Sequence, residues 1–343
     1  MKIIADANIP FIKGVLEPYA EVHYLRGRDI TAKVAKDADA LLVRTRTRCD
    51  AALLEGSAVR FIATATIGTD HIDISWCEAR GIKVTSAAGS NAGGVLQWVA
   101  AVLSLLSSEE GWRPGDKTLG IVGVGNVGSL IRRYCRAWGF RVLCSDPPRE
   151  RTEGLGPADG FFPFEELAAR SDIVTFHTPL TTTGDFPSKY LGGKEFFDIL
   201  KPGATVINSS RGGVVDETAM LAASKGKKLK YCIDTWEGEP DINRLLLSGA
   251  LVSTPHIAGY SAQGKANASA MVVATLAEYF DLPLTRWYPA EVNPVPRKDI
   301  GWDEMSATIT DYCDIRGETR QLKDHPGEFE SLRERYLYRQ EYF

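Results

Sequence analysis

The run Gly123-Val124-Gly125-Asn126-Val127-Gly128 carries glycine at its first, third and sixth positions. It directly follows the apolar run TLGIV (118–122) and opens a segment with Leu130, Ile131 and Tyr134 at helical spacing. Strand, glycine turn and helix in that order predict the first βα unit of a doubly wound sheet. Each glycine has its own task there. Gly123 permits the tight turn, Gly125 lets a pyrophosphate approach the backbone, and Gly128 lets helix and strand pack closely. The amides of Asn126 and Val127 fall at the helix N-terminus, where unpaired N–H groups and the helix dipole favour phosphate. Asp146 closes the next apolar run, RVLCS (141–145). A carboxylate there bonds a ribose 2′-hydroxyl and repels a 2′-phosphate, which predicts NAD rather than NADP, although Arg149 and Arg151 nearby would soften that preference.

The same alternation extends along the chain. KIIA (2–5), ALLV (40–43), FIAT (61–64) and KVT (83–85) predict strands, with helices near 9–18, 50–56 and 72–80 and Gly81 as a helix terminator. After a long apolar helix over 94–110, further strands are expected at 118–122, 141–145, 172–176, 204–208, 230–234 and 251–254. A last long helix over 261–280 leads back to the first domain and makes it discontinuous. The expected fold is α/β, with two doubly wound parallel-sheet domains, Rossmann-like and flavodoxin-like, and a small C-terminal segment. The boundaries are a substrate-binding domain (1–93 and 262–289), an NAD-binding domain (94–261) and a tail (290–343). The tail carries Phe329, Leu332 and Tyr336 at helical spacing, then Tyr338, Tyr342 and Phe343. Aromatics at that density pack against something, either their own chain or a second subunit.

Composition narrows the function. With 343 residues the chain buries about three quarters of its unfolded surface, so it needs neither disulfide nor metal. A net charge of −4 argues against nucleic acid as partner but not against a small anion in a locally positive pocket. None of the 6 cysteines forms a C-x-x-C pair, which predicts reduced thiols in the cytoplasm. The 5 histidines show no metal-ligand spacing, so no metal is expected. The N-terminus has no signal-peptide pattern, and the apolar stretch Val95 to Leu106 reads as a buried helix rather than a membrane span.

Three segments, NSSRGGVVDE (208–217), DTWEGEP (234–240) and TPHIAGY (254–260), stand at the ends of later predicted strands, where open α/β sheets bind ligands. These segments resemble the D-isomer-specific 2-hydroxyacid dehydrogenases, and the likeness covers nearly the whole chain. The family's catalytic arginine, glutamate and histidine fall on Arg211, Glu239 and His256. Chemistry asks for the same residue types. Arg211 can hold a carboxylate with a bidentate fork and polarise the C2 oxygen. His256 can exchange the C2 hydroxyl proton. Glu239 can bond the far side of the imidazole and fix its tautomer, though Glu237 is a rival two residues away. Hydride would pass between C2 and the nicotinamide, and Pro255 helps fix where His256 points.

A narrower likeness within that family rests on LLVRTRTRCD with TATIGTDHID, on DTWEGEP through TPHIAGYSAQGKA, and on the tail FESLRERYLYRQEYF. It implies a small phosphorylated hydroxy-acid substrate and a homodimer built through the tail. It implies substrate contacts at Thr45, Thr66 and Tyr260, and an NAD site lined by Asp146, Thr178, Ser209, Ser210, Arg211, Asp234 and Gly259. Arg44, Arg46 and Arg48 alternate, which on an extended chain puts them on one side as an anion cradle or a solvated basic edge. Two positions depart from the family pattern: Gln97, where a glutamate is common, and the pair Ser209-Ser210. A phosphoglycerate or other 2-hydroxyacid dehydrogenase stays open as an alternative, as does an NAD-sensing binding protein without useful turnover.

Overall fold

Ten of the short β-rich runs and one further edge segment form two wholly parallel sheets in a computed structural model that describes residues 1–343. The first comprises β1 (Lys2–Asp6), β2 (Glu21–Leu25), β3 (Ala40–Val43), β4 (Phe61–Thr64) and β5 (Lys83–Ser86), in the order β2-β1-β3-β4-β5. This is the flavodoxin-like order. The second comprises β6 (Thr118–Val122), β7 (Arg141–Ser145), β8 (Ile173–Phe176), β9 (Thr205–Asn208), β10 (Lys230–Ile233) and β11 (Val252–Ser253), in the order β11-β10-β9-β8-β6-β7. Strand order reverses at β6, which has β7 on one side and β8 on the other. Such a reversal opens the crevice in which doubly wound sheets bind ligands.

The sheets belong to two compact units, Met1–Asn91 with Ser261–Val295, and Ala92–Tyr260 with Pro296–Phe343. In the first, β3 and β4 are buried on both faces, as strands of a covered parallel sheet must be. The helix Ala262–Tyr279 lays Val272, Val273 and Leu276 against Ile3, Ala5 and Phe61. No helix forms over 9–18. Ile9, Ile12 and Leu16 are buried at helical spacing, but successive turns carry them inward, with Phe11 and Gly14 at positive φ. The strand β2 follows, half-exposed at the sheet edge, where no apolar run announces it.

In the second unit the helix Ala92–Glu110 covers one sheet face together with Ile131, Tyr134 and Trp138. It is the one helix long and apolar enough to cross a membrane by length and composition, and 83% of its most apolar 18-residue stretch is buried inside the fold. Leu167, Phe196, Phe197 and Leu246 cover the opposite face. The tail packs into both cores. Ile300, Trp302, Met305 and Phe343 join the first, and Leu322, Phe329 and Leu332 the second. Contacts therefore draw the boundary after Val295 and gather Pro296–Phe343 into the unit of the second sheet, not into a body of its own.

Candidate active site

All strands of the second sheet are parallel, so the segments after β6, β8, β9, β10 and β11 emerge at one edge. After β6 the glycine run takes the shape its sequence predicts. Gly123 sits at φ +84, and a Cβ there would lie 2.8 Å from Thr178 Cγ2. A Cβ on Gly128 would lie 2.0 Å from the Gly123 carbonyl oxygen, so helix and turn meet backbone to backbone. Above Gly125 nothing lies within 4 Å, and no side chain caps the helix Asn126–Trp138 that begins there. An open glycine before an uncapped helix start fits a pyrophosphate. Two buried hydroxyls without a protein partner, Thr178 Oγ1 and Ser209 Oγ, stand at the ends of β8 and β9, among the residues expected to line the NAD site. Buried polar atoms normally have partners, so orphans here fit a ligand that supplies them.

Asp146 ends β7 as expected, and its carboxylate works locally. Oδ2 accepts from the Val124 amide at 2.7 Å, and Oδ1 caps the helix Pro147–Glu153 through the Arg149 amide at 3.2 Å. The acidic group thus touches the glycine turn itself. Arg149 also reaches that turn, donating to the Val124 carbonyl, while Glu153 holds its guanidinium with bonds of 2.6 and 2.7 Å.

After β9, Asn208 organises the next segment. Its Oδ1 accepts from the Ser210 amide and hydroxyl, and its Nδ2 donates to the Arg211 carbonyl. Half-buried Arg211 donates from Nη1 to the Ser210 carbonyl. Gly212 leaves room for no side chain, since a Cβ would fall 1.9 Å from the Trp236 carbonyl oxygen. The arginine segment is thereby pressed against the segment that bears Glu239.

Glu239 and His256 meet directly, with Oε2 to Nδ1 at 2.8 Å. The other carboxylate oxygen accepts from the Trp236 amide at 2.8 Å, and the Trp236 indole donates to the Thr254 carbonyl at 3.0 Å. Trp236 therefore ties the glutamate segment to the histidine segment. Burial pushes the Glu239 carboxyl up, but the bond to His256 and its charge, the Trp236 amide and the Arg333 charge together hold it below the ordinary value. Glu239, not Glu237, is the histidine's partner; Glu237 accepts from the Tyr190 hydroxyl. Asp234 is buried, and its Oδ1 accepts from Thr254 Oγ1 and from the amides of Ile257 and Ala258. Tyr260 follows, with its hydroxyl accepting from Arg333 Nε at 3.0 Å and its ring packed on Tyr336 and Tyr338. Arg333, Arg339 and Trp236 lie in segments that the sequence singles out, but nothing there assigns them a role, and the first two reach the site from the tail.

The expected substrate residues of the first unit follow β3 and β4. Thr45 is exposed, and the Thr66 hydroxyl lies 2.6 Å from Thr64 Oγ1 and donates to the Gly68 carbonyl. The alternation expected of Arg44, Arg46 and Arg48 is corrected. Arg44 to Thr47 make a turn, closed by the Thr47 amide on the Arg44 carbonyl at 3.1 Å, so the side chains do not alternate along an extended chain. Arg48 pairs with Asp50 at 2.7 Å, and half-buried Arg44 reaches the Asn8 carbonyl.

The family described as D-isomer specific 2-hydroxyacid dehydrogenase, NAD binding domain, matches residues 98–258. A Thermus thermophilus protein of known structure is 26% identical, with a TM-score of 0.65 over 82% of this chain and 98% of its own. The NAD-bound 3-phosphoglycerate dehydrogenase of Entamoeba histolytica, 24% identical, shares the fold with a TM-score of 0.68 over 82% of this chain and 95% of its own. The chain belongs to the D-isomer-specific 2-hydroxyacid dehydrogenase family and is an NAD-dependent enzyme of that class. Within it, the erythronate-4-phosphate dehydrogenase of Bacteroides fragilis is 43% identical over 99% of this chain and 97% of its own. Those of Bacteroides thetaiotaomicron and Yersinia enterocolitica are 44% and 37% identical, over 97% and 93% of their lengths.

Proposed function

We infer that the protein oxidises 4-phospho-D-erythronate to 2-oxo-3-hydroxy-4-phosphobutanoate with NAD, as a step of pyridoxal 5′-phosphate biosynthesis. The observation that carries the reaction is the Glu239–His256 pair at 2.8 Å, at the same sheet edge as the glycine turn. The observation that carries the substrate is near-full-length likeness to three erythronate-4-phosphate dehydrogenases.

In this reading the guanidinium of Arg211 grips the substrate carboxylate and polarises the C2 oxygen. With Nδ1 committed to Glu239, His256 offers its other ring nitrogen to the C2 hydroxyl and takes the proton. The ionised Glu239 then stabilises the imidazolium that forms. Bound NAD would supply the acceptor for the hydride that leaves C2. Gly123, Gly125, Asn126, Val127 and Gly128 would hold its pyrophosphate and Asp146 its ribose, with Thr178, Ser209, Ser210, Asp234 and Gly259 lining the rest. Thr45, Thr66 and Tyr260 contact substrate, and Arg44 and Arg46 serve its phosphate. A homodimer is part of this reading through the tail residues left exposed, Leu337 and Tyr338, and 6 buried free thiols fit the cytoplasm.

The test supplies 4-phospho-D-erythronate, 3-phosphoglycerate and glycerate separately, with NAD and a 2-oxo-acid acceptor, and detects the 2-oxo product by mass spectrometry. A kcat/KM at least about 100-fold higher for 4-phospho-D-erythronate is expected. Preference for another acid contradicts the substrate assignment, and no product from any acid contradicts the reaction.

A further inference from the structure

The two residues after His256 are held from both sides by buried groups of opposite charge. On one side, Asp234 Oδ1 accepts from the amides of Ile257 and Ala258 at 2.8 and 3.0 Å, while the Asp234 carbonyl accepts from the His256 amide at 2.8 Å. On the other, the guanidinium of Arg339 donates to the carbonyls of the same two residues, to Ile257 at 3.1 Å and to Ala258 in a short bond. Arg339 also donates to the Gly94 carbonyl at 2.9 Å, in the first turn of the helix Ala92–Glu110, and to the Tyr336 hydroxyl at 3.1 Å. Tyr336 passes the chain on to Glu318, 2.6 Å away.

Packing alone does not account for this arginine. Arg339 is only 8% exposed, and a buried guanidinium is costly to desolvate; an apolar side chain of that volume fills such a place more cheaply. Its planar fork does something an apolar group cannot. It bridges carbonyls on separate segments in a fixed geometry. The segment it grips is also the one that needs holding. His256 sits at φ +57, a backbone conformation a non-glycine residue keeps only when its surroundings impose it.

We propose that Arg339, contributed by the C-terminal tail, is a positioning residue that clamps the backbone after His256 so that the imidazole stays on its hydroxyl proton. The clamp rests on His256 being the proton acceptor. Arg339 serves the Gly94 and Ala258 carbonyls from Nη2 and the Ile257 carbonyl from Nη1; lysine keeps the charge but has one donor nitrogen and loses that two-pronged grip.

The experiment compares wild type, R339K, H256A and the double variant H256A/R339K, with NAD affinity, thermal melt and turnover of 4-phospho-D-erythronate measured on each. R339K should melt cooperatively and bind NAD within about threefold of wild type, while kcat falls about 10–100-fold. On the H256A background the same change should cost less than about twofold, because its effect runs through the histidine. Wild-type kcat in R339K, an equal loss on both backgrounds, or a loss matched by lost NAD affinity overturns the clamp. R339A gives a second arm: added guanidinium should recover its kcat, and no recovery also overturns it. An H256A variant with wild-type turnover removes the histidine reading itself, whereas a dead H256A beside a normal R339K removes only the clamp.

Discussion

Glu239 divides its carboxylate between an imidazole and a backbone amide, and this sets what His256 can do. One oxygen fixes the ring, and the other anchors the glutamate to the segment it sits on. His256→Ala should therefore lower kcat by about 1000-fold or more while NAD affinity, read by titration, stays within about threefold; retained turnover removes the histidine from its role. In the proposed ribose role, Asp146→Ala should cut the preference for NAD over NADP by at least about tenfold in kcat/KM, since a carboxylate beside the glycine turn repels a 2′-phosphate. An unchanged ratio contradicts the ribose contact. The Glu239–His256 pair was legible because each residue lies in a short segment at a strand end whose residue types the chemistry dictates. Arg339 was not. Its partners are backbone carbonyls far away in sequence, and a carbonyl leaves no trace in residue type.

At the scale of elements, the helix Glu217–Lys227 begins under the Glu239 segment. Asp216 caps it, and Glu217 accepts from the Glu237 amide at 2.7 Å. Burial, with Glu237 and Glu239 close by, pushes the Glu217 carboxyl up to about 7 against the pull of that amide bond. The folded chain then holds a proton between the ordinary carboxylate value and about pH 7 that the unfolded chain has released. This group's contribution to stability is most favourable below the ordinary value, falls as pH rises to about 7, and is flat above. Glu217→Gln removes the penalty and should stabilise the protein at pH 8 by on the order of 1–3 kcal/mol, with little gain at pH 4. Thermal melts at the two pH values check this, and an equal effect at both contradicts it. Among elements, buried parallel strands were legible from apolar runs. The segment 9–18 was not, because three buried apolar residues at helical spacing satisfy a helix and a series of turns equally well, and Pro10, Gly14 and Pro18 leave only the turns.

For the whole molecule, the tail is part of the second unit's architecture. Trp302 is buried against Trp112, Trp138 and Phe140 with ring centroids 5.7 to 6.3 Å apart, and Phe343 packs on Tyr134 and Trp138. Trp302→Ala should cost about 3–5 kcal/mol in chemical denaturation, as loss of a large core side chain does; a loss under about 1 kcal/mol contradicts that packing. Composition showed that these aromatics must be covered but not by what, since docking on the same chain and docking on a partner ask for the same residues. In the proposed mechanism C2 of the substrate gives up its hydrogen as hydride while the hydroxyl proton leaves separately to His256. The most direct test is turnover of 4-phospho-D-erythronate deuterated at C2, with the reduced cofactor and the 2-oxo product read by mass spectrometry. One deuterium on the nicotinamide and none in the 2-oxo product is expected, and reduced cofactor without deuterium would contradict hydride transfer from C2.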